Sequence, residues 1–216
     1  MLLELKNGEY RLMLKKQFNK LLSTLVLGLL FITSIQANAG GFHYQLELTA
    51  RLDATPNGQL DSIEMSWIFD PQLSITLMDG EDLSEANRAE TLQRRASNVL
   101  SSFAEMGYFT KVLLNRSTLM TLEVEDYNLD YTDTSQLQLS LKLPLAKPVN
   151  LNLKGQRLQI VISDPTAAGL ATFVTTDHLL LGELLATTCN KPSLAKEQAE
   201  SDDGHILVSE TMTIDC

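Results

Sequence analysis

Apolar and polar residues alternate with period two over 42–53. Phe42, Tyr44, Leu46, Leu48, Ala50 and Leu52 fall on one side, and His43, Gln45, Glu47, Thr49, Arg51 and Asp53 on the other. That is the pattern of a strand with one face on a core. Pro56-Asn57-Gly58 marks a tight turn. Ile63, Met65, Trp67 and Phe69 carry the alternation through 59–70, so the first unit reads as a hairpin.

The period changes over 82–106. Leu92, Ala96, Val99, Leu100 and Phe103 recur at helical spacing and define one apolar face. Asp82 or Ser84 is placed to cap the start, and Gly107 stands where a glycine ends a helix. Period two then returns over 108–115 and 118–131. Leu137, Leu139, Leu141 and Leu143 continue it, with Pro144 and Pro148 punctuating the exit and 149–153 left as a short edge piece. Further strands are expected over 158–163, 170–176 and 206–214. Residues 179–187 fit a strand or a short helix, and 190–204 a polar loop or short helix. The fold class expected is α+β: mainly antiparallel β, sandwich-like, with one amphipathic helix inserted after the first hairpin.

The front of the chain departs from this pattern. Lys15, Lys16 and Lys20 precede a 15-residue apolar run over 21–35, followed by Ala37-Asn38-Ala39. A basic region, a short apolar run and a small-x-small site make a cleavable export signal over 1–39, with Met13 offering a second start. The run is shorter than the roughly 20 residues a membrane span needs. A periplasmic chain with no membrane span after cleavage is the expectation, organised as a β-rich domain over 40–188 and a C-terminal loop and strand over 189–216.

Charge sharpens this division. The 216 residues carry 17 Lys+Arg and 27 Asp+Glu, a formal net charge of −10. Five of the basic residues and two of the acidic ones lie in 1–39, so the remainder carries 12 positive and 25 negative side chains, a net −13. An acidic surface argues against a nucleic-acid partner, which needs clustered Lys and Arg. Both cysteines, Cys189 and Cys216, lie in this acidic part, and in an exported chain they read as one disulfide. On the chain-entropy model such a cross-link is worth roughly 3 kcal/mol.

No motif specifies catalysis. There is no G-x-S-x-G and no H-E-x-x-H. His43, His178 and His205 lie outside recognisable catalytic patterns, and Glu123, Glu125 and Asp126 read as the solvated face of a strand. Asp79-Gly80-Glu81-Asp82 resembles a fragment of a calcium loop. With Asp79 and Gly80 at loop positions 5 and 6, however, the apolar Ile75 and Leu77 fall at positions 1 and 3, which rules out a standard site. His43, three residues beyond the expected cleavage point, is a candidate ligand for Zn²⁺, Ni²⁺ or Cu²⁺.

Several segments occur together in order: Gly41-Phe42-His43 opening a strand, Trp67-Ile68-Phe69-Asp70, Met106-Gly107-Tyr108-Phe109, Asp126-Tyr127, Leu143-Pro144-Leu145-Ala146-Lys147-Pro148 and Asp164-Pro165-Thr166. In this order they resemble the DUF1007 family of bacterial periplasmic proteins. The resemblance implies a periplasmic component of an uncharacterised ABC-type transport system, a membrane permease or other periplasmic protein as partner, and a metal-related role. The family commonly opens on His-Pro-His, of which this chain keeps only His43, and the acidic segment before the helix is shortened here to Asp79, Glu81 and Asp82.

The function expected is therefore a non-enzymatic accessory protein of a transport system that weakly binds a divalent metal ion (Zn, Ni or Co). His43 is the first candidate ligand, and Asp79, Glu81 and Asp82 are the second set. The rival reading is an envelope protein–protein interaction module with no ligand of its own. A hydrolase is a third reading, and it requires a histidine beside a carboxylate and a hydroxyl.

Overall fold

The computed structural model describes residues 42–200 and 204–216. The expected export signal over 1–39 lies outside them. The described chain forms two sheets around one apolar core. β1 (Tyr44–Leu52) and β2 (Gln59–Phe69) form the expected antiparallel hairpin, with Ala50 opposite Met65 and Leu48 opposite Trp67. β3 (Thr110–Leu114), β4 (Ser117–Thr118), β5 (Tyr127–Tyr131), β6 (Leu137–Asn150), β7 (Arg157–Ser163), β8 (Gly169–Thr172), β9 (Leu179–Leu181), β10 (Ser193–Glu200) and β11 (Ile206–Asp215) follow.

The first sheet runs β5-β6-β2-β1-β8, with β9 also on β1, and the second runs β10-β11-β7-β3-β4. Pairing is antiparallel except where β8 and β9 lie parallel to β1. The inward sets meet in one core: Leu46, Leu48, Ala50 and Trp67 from the first sheet, and Leu158, Ile160, Ile162, Met212 and Ile214 from the second. The expected sandwich-like α+β class therefore holds.

Two helices, not one, follow the hairpin. α1 (Pro71–Met78) begins where strand alternation stops. Asp70 caps it by accepting from Leu73 N at 2.8 Å, and proline at the first position has no N–H to lose. α2 (Arg88–Glu105) buries the expected face, Leu92, Ala96, Val99, Leu100 and Phe103. Phe103 joins Trp67, Phe69 and Phe109, with centroids 5.0–6.2 Å apart. α2 starts six residues after Asp82. That carboxylate instead accepts from Ser84 N and from Asn87 Nδ2, closing a turn ahead of the helix. Gly107, at φ 62°, ends α2 as expected.

Three further expectations are corrected and one open reading is resolved. Residues 118–131 are not one strand: the chain leaves β4 on the second sheet, crosses to the first and becomes regular only at β5. Pro144 does not end β6. It pairs opposite Ser62 beside a register shift, and its carbonyl accepts from Leu122 N at 2.9 Å, so its missing N–H costs no ladder bond there. Residues 179–187 resolve into β9 and α3 (Glu183–Thr188). The polar stretch within 190–204 contains β10, an edge strand exposed on both faces and therefore without alternation.

Candidate functional site

The residues expected to ligate metal are placed apart or already occupied. His43 is exposed just ahead of β1, and its backbone N–H donates to Ala168 O at 2.8 Å. Asp79 is exposed at the end of α1. Glu81 sits between the Arg94 and Arg95 guanidiniums of α2. The hydrogen bond from Arg94 holds its carboxyl below the ordinary carboxylate range, against a smaller opposing effect of burial. Asp82 is lowered by its bonds to Ser84 and Asn87. Among the described residues, no group of three or more His, Cys, Asp or Glu is placed to hold a metal ion. Cys189 and Cys216 are joined as the expected disulfide, and Cys216 N donates to Gln156 O beside it.

His178 lies beside a carboxylate. Its Nδ1 lies 2.9 Å from Leu48 O and its Nε2 3.6 Å from Glu47 Oε1. Among the described residues no serine or threonine hydroxyl bonds to it. Among the described residues two carboxylates are buried, Asp164 and Glu210, at 1% and 3% exposure. Both hold backbone. Asp164 accepts from Gly169 N at the start of β8. Glu210 accepts from Phe173 N just after its end, and Lys196 Nζ lies 3.2 Å from Glu210.

The feature that stands out on the surface is the crossover 119–126. Leu119 N ties its start to Val112 O of β3, and β6 holds it further along. Ala146 N donates to Met120 O, Leu122 N to Pro144 O, and Lys142 N to Asp126 O. Thr121 forms an antiparallel bridge with Leu145. In such a ladder alternate residues turn their backbone groups outward. At this bridge the N–H and C=O of Thr121 face away from β6, and the backbone groups of Thr121, Glu123 and Glu125 have no hydrogen-bond partner among the described residues. Val124 turns inward, and its N–H donates to the buried Tyr108 hydroxyl at 3.1 Å.

The side chains along this edge are unusual for a solvent surface. Met120 is 74% exposed and Leu122 50%. A groove of about 590 Å³ opens beside them, lined by Leu122, Pro144, Glu123, Glu125, Asp126 and Lys142. A second groove, of about 330 Å³, shares Asp126 and Lys142 and runs onto the outer face of the first sheet. There Arg51, Glu64 and Lys142 stand opposite one another across three strands. Residues 118–131 are expected as a strand, but of Met120, Leu122 and Val124 only Val124 reaches the core. The signal for an edge site was a run of apolar residues interleaved with Glu123 and Glu125, and alternation alone could not separate it from a half-buried strand.

Two sheets closed over one core, with a disulfide joining Cys189 to Cys216, define a β-sandwich protein. The chain belongs to the DUF1007 family: the family's model, described as a protein of unknown function, matches residues 26–178. No curated relative matches the chain. AChBP from Bulinus truncatus, a solved structure, is similar over 80% of this chain and 85% of that one, at 9% identity and a TM-score of 0.33. A likeness at that level carries no argument here. Among the described residues no helix is long and apolar enough to cross a membrane. The disulfide is compatible with an extracellular or periplasmic location.

Proposed function

We propose that this chain is a periplasmic, non-enzymatic accessory protein of a transport system that works by contact with another envelope protein. The observation that supports this reading is the edge at 119–126. Met120 and Leu122 stand exposed two positions apart there, together with backbone groups that have no partner among the described residues. Such an edge costs solubility and invites pairing, and a binding partner offsets that cost. The buried carboxylates bind backbone, and the disulfide cross-links the chain, so both are accounted for by the fold. Metal binding enters the reading only at His43. One imidazole with no second ligand beside it among the described residues holds a transition-metal ion weakly.

The reading is tested by placing a photo-crosslinking residue, in intact cells, at Leu122, Leu180 and Glu197 in turn. A discrete adduct with one identified envelope protein from at least one position is expected. Absence of any adduct from all three overturns it.

A further inference from the structure

Resting on that accessory reading, we infer that the outward edge of 120–125 takes up an extended, basic segment of the partner by strand addition. The backbone supplies the first half of the recognition. Thr121 turns its backbone groups away from β6, and those of Glu123 and Glu125 have no partner among the described residues, while β6 holds Met120, Leu122 and Asp126. An incoming strand needs no rearrangement of the body to pair there.

The side chains supply the second half and select the occupant. The groove beside the edge carries Glu123, Glu125 and Asp126 against a single cation, Lys142. Its apolar wall is Leu122 and Pro144, with Met120 next along the chain. A strand that alternates Lys or Arg with aliphatic residues matches both, placing cations by the carboxylates and apolar side chains on Met120 and Leu122. A second copy of this chain does not match, because its own edge brings Glu123 and Glu125 against the same acidic rim. The other long free edge, β10, is guarded differently. Its exposed residues include Lys196, Glu197 and Glu200, and it has no large apolar side chain comparable to Met120.

The probe is a capped peptide alternating Val and Lys, with a Val–Glu peptide of the same length as control. Hydrogen exchange on the full protein is expected to show new protection at 119–126 with the Val–Lys peptide and none with the Val–Glu peptide. The Glu123→Lys/Glu125→Lys variant, checked for an unchanged circular-dichroism spectrum, is expected to bind the Val–Lys peptide about tenfold more weakly, and wild-type binding to weaken with added salt. No protection at 119–126, protection at β10 instead, equal binding of the Val–Glu peptide, or concentration-dependent self-association through this edge would each overturn the inference. The accessory reading fails separately. An envelope adduct from Glu197 but none from Leu122 sinks this surface alone, whereas no adduct from any position sinks the reading beneath it.

Discussion

The Tyr44 hydroxyl donates to Asp164 Oδ2 at 2.7 Å, joining the first strand of one sheet to the turn that leaves the other, 120 positions apart. Asp164 also accepts from Gly169 N at 2.6 Å, from Thr166 N at 2.8 Å and from Thr166 Oγ1 at 2.7 Å. A carboxylate so buried is tolerable because its oxygens are bonded. Asp164→Ala is expected to cost about 3 kcal/mol, since it strands several donors, and Tyr44→Phe about 1 kcal/mol. Urea unfolding checks the order. Equal losses would mean that Asp164 does not hold the turn.

The same pair sets an alkaline limit. Burial, and then the hydrogen bond to Asp164, raise the Tyr44 phenol above its ordinary value of 10.0. The unfolded chain ionises first, so this contribution to stability is complete below pH 10.0 and is lost as pH rises above it. Wild-type stability is expected to fall on that limb more steeply than that of Tyr44→Phe, as thermal melts across alkaline pH will show.

At the acid end the sign reverses. Glu81 is lowered from 4.5 first by the hydrogen bond from Arg94, and Asp215 from 3.8 first by that from Arg157. Both contributions are present above those values and are lost as pH falls below them. Carboxyl resonances of Glu81 followed by NMR are expected to titrate below 4.5, and Arg94→Ala is expected to move the midpoint upward. An unmoved midpoint would show that Arg94 does not hold Glu81.

The disulfide ties the end of the chain beside α3. Asn190 N donates to Asp215 O and Gly155 N to Cys216 O around it. Replacing Cys189 and Cys216 with alanine is expected to lower stability by roughly 3 kcal/mol. The loss should be matched when wild type is melted under reductant, and a reductant-insensitive melting temperature would contradict it.

The fold was legible where one face of an element meets the core. Leu46, Leu48 and Ala50 on β1 and Leu92, Ala96 and Phe103 on α2 announced their elements because burial imposes the period. Legibility failed where no core enforces a pattern. β10 is exposed on both faces, so Lys196, Glu197 and Glu200 looked like a loop. The crossover at 118–131 alternates like a strand, yet its residues serve two sheets in turn. Pro144 reads as a stop, but pairing beside a register shift removes the need for its N–H. The candidate site was the least legible part. Glu123 and Glu125 look like any solvated face, and only the exposure of Met120 and Leu122 distinguishes this edge. His43, Glu81 and Asp82 carried suggestive chemistry, but a linear sequence cannot show that Arg94, Arg95 and Asn87 engage the two carboxylates.

The most direct measurement is photo-crosslinking from Leu122 in intact cells, comparing wild type with Glu123→Lys/Glu125→Lys. One discrete adduct with an identified envelope protein, cross-linked through a basic extended segment and lost in the charge-reversed variant, is the expected result. An adduct pattern at Leu122 indistinguishable from background, with none from Leu180 or Glu197, would contradict a function exercised through protein contact.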